Sequence, residues 1–154
     1  MLFRSFSTAA RIGALVAGHE RAQVEALTNY GTAYGMVFQV VDDVLDVIAT
    51  DAELGKRAGH DMEEGVYTLP VLLTLAHGDD AADQLRGLLG GPLAGPERET
   101  ALRLVRAGTG VKNAIETAWD YVALAEAECA KLPESAATGA LRSAPRVLLE
   151  SVIR

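Results

Sequence analysis

A chain of 154 residues, 49% of them hydrophobic, is enough for one globular unit with a real core and too short for two ordinary domains. A formal net charge of −7 and a pI near 4.9 exclude a broad nucleic-acid surface, which needs a basic patch; an anionic ligand would need a cation from elsewhere. Cys129 is the only cysteine, without a disulfide partner or the Cys/His neighbours of a zinc site, which fits a reducing cytoplasm, and charges such as Arg11, Glu20 and Asp42 interrupt every apolar run before it could span a membrane.

Helical periodicity runs through the whole chain, and period-two alternation is scarce, so the predicted class is all-α. A first helix is expected from Ser7 to Ala17, ended by Gly18 and His19. Its surroundings hold Arg4, Arg11 and several Ser and Thr but no acid up to His19, a composition shared with organellar transit peptides. The stripe Ile12, Leu15, Val16 points instead to a helix entering the core. A long second helix begins near Arg21, with Leu27, Tyr30, Tyr34, Val37, Val41, Val44, Leu45 and Ile48 on one face. Gly31 and Gly35, four apart, suit close approach of a neighbouring helix.

Thr50 to Glu64 breaks the apolar pattern with Gly55, Gly59 and many charges, and is expected as a loop. Thr68 to Ala76 resumes as a short apolar helix that should be buried, with Thr68 as N-cap and Pro70 in the first turn. Further helices are expected over Asp79 to Leu89 and Glu97 to Arg106, with GGPLAGP as a turn between them and Gly108 and Gly110 closing the second. A helix from Val111 to Leu132 should carry Ile115, Trp119, Val122, Ala123 and Ala127 on one side and stop at Pro133. The tail from Ala136 to Arg154 is expected to form a helix bent or restarted at Pro145.

The stretch FQVVDDVLDV, Phe38 to Val47, places Asp42, Asp43 and Asp46 in an otherwise apolar helix. Residues three and four apart share a helix face, so Asp42 and Asp46 stack and Asp43 neighbours Asp46; three like charges there destabilise the helix unless solvent or a cation meets them. Hard carboxylate oxygens suit Mg²⁺, which takes one or two carboxylates and completes its shell with water and substrate phosphates. A solvated helix face explains a bare DDxxD better than metal binding does. Here Phe38, Val40, Val41, Val44 and Leu45 leave no broad polar face for the aspartates to belong to. Lys56, between Gly55 and Gly59, could return over the acidic helix as a point charge for a diphosphate. Asp61 could assist through water or cap a turn, and His60, without a spaced histidine partner, suits the surface better than a metal.

FQVVDDVLDV followed by GKRAGHDMEEGVYTLPVLLTL resembles the second aspartate-rich motif and following loop of the trans-type polyprenyl diphosphate synthases. The likeness rests on Phe-Gln before the aspartates, the DDxxD spacing, Gly-Lys in the loop, Gly-x-Asp after it and Thr-Leu-Pro opening the next helix. Weaker similarity in ARIGALVAG and in TGVKNAIETAWDYVALAEAECAKLP extends it over nearly the whole chain. The resemblance implies a helical bundle of the isoprenoid synthase type. It also implies that Asp42, Asp43 and Asp46 help bind Mg²⁺ bridging to an allylic diphosphate, and that Gln39 and Lys56 contact that substrate. The family reaction is head-to-tail condensation: the diphosphate leaves an allylic carbon, and the double bond of isopentenyl diphosphate attacks that carbon.

The family's first aspartate-rich motif has no counterpart here, its Lys-Thr pair ahead of the first helix is replaced by MLFRSFST, and Val66 stands at a common lysine position. Residues 1–154 are therefore expected to be the C-terminal part of a polyprenyl synthetase domain, about half of it. Two functions remain open: part of a prenyltransferase, incomplete by itself, or a non-catalytic helical partner that binds metal-diphosphate or packs on a full-length synthase. Association into homo- or hetero-oligomers is expected, because half a bundle leaves apolar faces uncovered.

Overall fold

The structure, a computed structural model, describes residues 3–50 and 58–153. Among the described residues there are eight helices and no strand, as the periodicity predicts. They are α1 (Phe3–Val16), α2 (Arg21–Ile48), α3 (His60–Glu63), α4 (Leu69–His77), α5 (Asp80–Leu88), α6 (Gly95–Ala107), α7 (Gly110–Cys129) and α8 (Ala136–Glu150). No helix is long and apolar enough to cross a membrane. The chain divides into two compact units, one of Met1–Val41 with Thr117–Arg154 and one of Asp42–Glu116, and α2 and α7 each contribute to both.

The first unit sets small residues among larger buried ones such as Tyr30, Val37, Val122 and Leu149. Buried positions of α2 at Ala26, Tyr30, Ala33, Val37 and Val40 recur every three or four residues, and Tyr30 and Ala33 pack with Ala125 and Cys129 of α7. The chain of α1 comes so near to α2 that a Cβ on Gly31 would sit 2.7 Å from the Phe6 carbonyl oxygen and 2.8 Å from Ser7 Cα. The expectation that Gly31 serves close packing is met. Ser7, Ala10 and Ala14 line that side of α1 together with Phe6, whose ring packs on Tyr34 and Phe38, and the stripe expected to enter the core faces outward: Ile12 is 54%, Leu15 55% and Val16 84% exposed. The same logic corrects the expected face of α7, where Ala114, Ala118, Val122, Ala125 and Cys129 are buried while Ala123 and Ala127 are exposed.

Proline usually breaks a helix because position i−4 loses its donor. Yet α8 continues through Pro145 without restarting. The carbonyl left without an amide there is that of Leu141, and the Tyr30 hydroxyl donates to it at 2.9 Å. One side chain of α2 thus replaces the missing backbone bond.

The Asp42–Glu116 unit encloses a core of full-sized side chains, among them Val47, Met62, Val71, Leu85, Leu93, Leu102 and Val105. Complete burial of each is worth about 1.5–3 kcal/mol before the entropy of ordering it is counted. The segment expected to be all loop contains α3, whose Met62 is buried and whose carbonyl accepts the Leu93 N–H at 2.9 Å. Helix α4 is apolar but not wholly buried: Pro70, Val71 and Thr74 face inward and Leu72 is 50% exposed. Thr68 occupies its N-cap with extended backbone, but its side chain makes no capping bond. Asp79 does cap α5, accepting the Ala82 N–H at 2.8 Å. Gly110, expected to close a helix, instead opens α7. The Tyr67 hydroxyl donates to the Gly91 carbonyl at 2.8 Å and accepts the Gly90 and Gly91 N–H groups at 3.0 Å, fixing the turn before α6.

Candidate functional site: the acidic end of α2

Asp42, Asp43 and Asp46 occupy the last two turns of α2, and the structure gives them different surroundings. Asp42 is exposed, whereas Asp43 and Asp46 are only 7% and 3% exposed. A buried carboxylate needs hydrogen-bond donors, and backbone amides supply them. Asp43 Oδ2 accepts the Leu69 N–H at 3.4 Å, at the first residue of α4. That amide has no partner within its own helix, and the positive end of the helix dipole favours a carboxylate there. Asp43 thus takes the capping role expected of Thr68, from 26 residues earlier in the sequence.

Asp46 is covered by the turn leading into α3. Its carbonyl accepts the Gly59 N–H at 2.7 Å and its Oδ2 accepts the Asp61 N–H at 3.3 Å. Gly59 has φ +72°, a left-handed conformation that a side chain would resist, and a Cβ there would press against Leu102. The turn can close over Asp46 because residue 59 is glycine. Asp42 and Asp46, stacked by the four-residue spacing, therefore lie on opposite sides of the solvent boundary. Asp61 serves the turn through its backbone amide.

Gln39 is half-buried, three residues before Asp42 on the same helix. Lys56 lies outside the described residues. His60 is at the surface, its ring 3.8 Å from a Glu63 carboxylate oxygen and 3.5 Å from one of Glu64, in agreement with the surface role expected of it.

Two arginines escaped the sequence reading. Arg98 is 7% exposed and directs Nη1 to Glu63 Oε2 at 3.5 Å and Nη2 to Glu99 Oε1 at 3.1 Å. A signal existed: Arg98 falls on the buried register of α6 with Ala101, Leu102 and Val105, where a cation calls for a buried partner. Arg106 donates from Nε to the Val47 carbonyl at 2.6 Å, and nothing local marks it.

Chemically, this end of α2 offers an exposed hard carboxylate backed by two carboxylates whose orientation is fixed by backbone amides. Among the described residues, no three His, Cys, Asp or Glu side chains converge into a ready cage for a metal. The donor set suits a cation that takes few protein ligands and keeps water or ligand phosphates in the remaining positions, which is the habit of Mg²⁺.

The family model for Polyprenyl synthetase matches residues 4–105. The chain is 39% identical over 127 residues to a nonaprenyl diphosphate synthase of Mycobacterium tuberculosis, covering 82% of this chain and 38% of that protein. It is 32% identical over 145 residues to a geranylfarnesyl diphosphate synthase of Natronomonas pharaonis, covering 94% and 41%. Among solved structures, a geranylgeranyl pyrophosphate synthase from Corynebacterium glutamicum, complexed with calcium and isoprenyl diphosphate, superposes with a TM-score of 0.86 at 34% identity, over 95% of this chain and 46% of that one. A heptaprenyl diphosphate synthase from Staphylococcus aureus also gives 0.86, at 26% identity, over 94% and 45%. The chain spans less than half the length of these relatives. The matched family model, the identities and the superpositions together establish that this chain belongs to the polyprenyl synthetase family.

Proposed function

We propose that this chain, residues 1–154, is the C-terminal part of a polyprenyl synthetase domain and supplies one acidic wall of a prenyl diphosphate synthase site. The reaction is condensation of isopentenyl diphosphate with an allylic diphosphate. The observation that carries this reading is the exposed Asp42 beside the amide-anchored Asp43 and Asp46, at the end of α2 in a chain of this family.

Asp42 is the carboxylate that meets a hydrated Mg²⁺, and Asp43 and Asp46 hold the helix end and add negative potential. Mg²⁺, when bound, supplies electrostatic stabilisation to a departing diphosphate. Gln39 hydrogen-bonds the allylic substrate, and Lys56 adds a point charge for its diphosphate. The other wall comes from the part of the family fold that these residues do not span, on the same or another polypeptide, and the chain works in a soluble, cytoplasmic assembly. Apolar side chains of the bundle shield the prenyl chain from water.

The test is calorimetric titration of the 154-residue chain with a non-hydrolysable allylic diphosphate analogue, with and without Mg²⁺. Binding is expected only with Mg²⁺. Asp42→Ala should abolish it while changing stability by less than about 0.5 kcal/mol, as befits an exposed residue. Asp46→Ala should weaken binding and also cost about 1–3 kcal/mol of stability, because the Asp61 amide loses its acceptor. A folded wild-type chain that shows no Mg²⁺-dependent binding overturns the reading.

A further inference from the structure

The acidic residues sit beside the C-terminus of α2, where a helix runs out of internal donors for its last carbonyls. Here three of those carbonyls, of Leu45, Asp46 and Val47, find donors among the described residues. The Leu45 carbonyl accepts the Ala49 N–H at 3.0 Å and that of Asp46 accepts the Gly59 N–H at 2.7 Å. Among the described residues, the Val47 carbonyl accepts Arg106 Nε at 2.6 Å, from a residue 59 positions later. Arg106 stands in the last turn of α6 and brings a full positive charge to the negative end of the α2 dipole. Its side chain touches the backbone of the turn that carries Asp46.

From this geometry we infer that Arg106 is a positioning residue for the acidic site, holding the last turn of α2 so that Asp42 and Asp46 keep their places. The inference rests on the metal-diphosphate reading of that helix. Arg106 is itself exposed, so trimming it opens no cavity in the core. What its removal frees is local: the Val47 carbonyl, and with it the turn running from Leu45 to Ala49. Fraying there moves Asp46 directly and loosens the Gly59 and Asp61 contacts that depend on it. An arginine whose only role was to support the fold would change overall stability; one that positions this turn changes ligand affinity and local opening.

The experiment compares wild type with Arg106→Ala, Arg106→Lys and Arg103→Ala, the last removing an exposed arginine one turn earlier on α6. Affinity for Mg²⁺ with the allylic diphosphate analogue is measured by calorimetry, and amide hydrogen exchange is followed in the metal-free chain. Arg106→Ala is expected to weaken Mg²⁺-dependent binding about three- to tenfold, the scale of a charged cap on a helix terminus. Exchange at Ala49 and Gly59 should accelerate while that at Ala101 and Val105 stays unchanged. Arg106→Lys should recover part of both effects, and Arg103→Ala should show neither. Unchanged affinity, or unchanged exchange at Ala49, overturns the inference and leaves the functional reading standing. Faster exchange throughout the unit reduces Arg106 to a structural role and equally overturns it. A wild-type chain without Mg²⁺-dependent binding removes the functional reading and the inference together, and the wild-type titration alone identifies that outcome.

Discussion

The unit Asp42–Glu116 is filled by Met62, Leu85, Val71 and Val105, whereas the unit containing α1 and α8 sets small residues, Ala33, Ala125, Cys129 and Gly31, around Tyr30. Large side chains give the first its stability by burial. Small ones give the second close backbone approach, and the cost shows on its surface, where Ile12, Leu15, Val16, Leu124 and Val147 are all more than half exposed. The difference also separates chemistry from packing. The donors that orient the acidic residues, Gly59, Asp61, Leu69 and Arg106, all belong to the unit with the bulky core, which can hold a turn rigidly.

Glycine substitutions test the comparison most severely, because each unit has a position where a methyl group would come within 3.0 Å of backbone. In the Asp42–Glu116 unit, a Cβ on Gly110 would overlap Thr74 Oγ1 and the Pro70 carbonyl, neither of which can retreat without breaking the first turn of α4. Gly110→Ala should cost at least about 3 kcal/mol, the upper end of overpacking penalties. Gly31→Ala meets its neighbours at 2.7 and 2.8 Å and can be relieved by sliding α1, a helix with exposed sides. It should cost about 1–3 kcal/mol. Urea unfolding midpoints decide the order, and equal losses would mean that α1 is held as firmly as α4.

Much of this contrast lies beyond what one sequence can reveal. The acidic motif, the break after it and the Thr-Leu-Pro helix were legible because each is written in neighbouring residues. The cap that Asp43 gives Leu69 and the bond from Arg106 to Val47 join residues 26 and 59 apart, and no local rule pairs them. Periodicity located the apolar stripe of α1 but could not say which side a neighbour would cover; the close approach at Gly31 and the Phe6 ring against Tyr34 and Phe38 turn the other face to α2. Pro145 was expected to bend or restart its helix, and the bond that rescues α8 comes from Tyr30, 111 positions away from Leu141. Burial of Asp43 and Asp46 was equally hidden, since it depends on a turn closing over them.

The Tyr30 bond provides the second test, of intermediate size. Tyr30→Phe leaves the Leu141 carbonyl without the donor that stands in for Pro145, and should cost about 1–3 kcal/mol. Burial also pushes the Tyr30 phenol and the neighbouring Cys129 thiol up from their ordinary values of 10.0 and 9.0, since each resists becoming an anion away from water. The folded state therefore retains both protons longer than the unfolded state does. The contribution of these two groups to stability should be flat well below pH 9.0 and fall as pH rises through and above the ordinary values, where the unfolded chain alone ionises them. Urea titrations at increasing pH should show this fall in wild type and a weaker one in Tyr30→Phe with Cys129→Ala. An alkaline loss unchanged in the double variant would place its origin elsewhere.

The smallest effect on stability should come from the outer face of α1, and there the comparison turns from folding to association. Val16 is 84% and Leu15 55% exposed, so replacing either by Glu removes little buried area and should change the unfolding free energy by less than about 0.5 kcal/mol. The same face presents adjacent apolar side chains to water, and a patch of that kind drives contact between molecules. Wild type should therefore self-associate in light scattering, and Leu15→Glu with Val16→Glu should shift it toward the monomer at unchanged helicity. A wild-type chain that stays monomeric as its concentration rises would show that this face is too small to drive association. A large stability loss in the variant would instead mean that Leu15 and Val16 support their own unit, and the contrast between a unit closed on bulk and a unit with bulk turned outward would fail at α1.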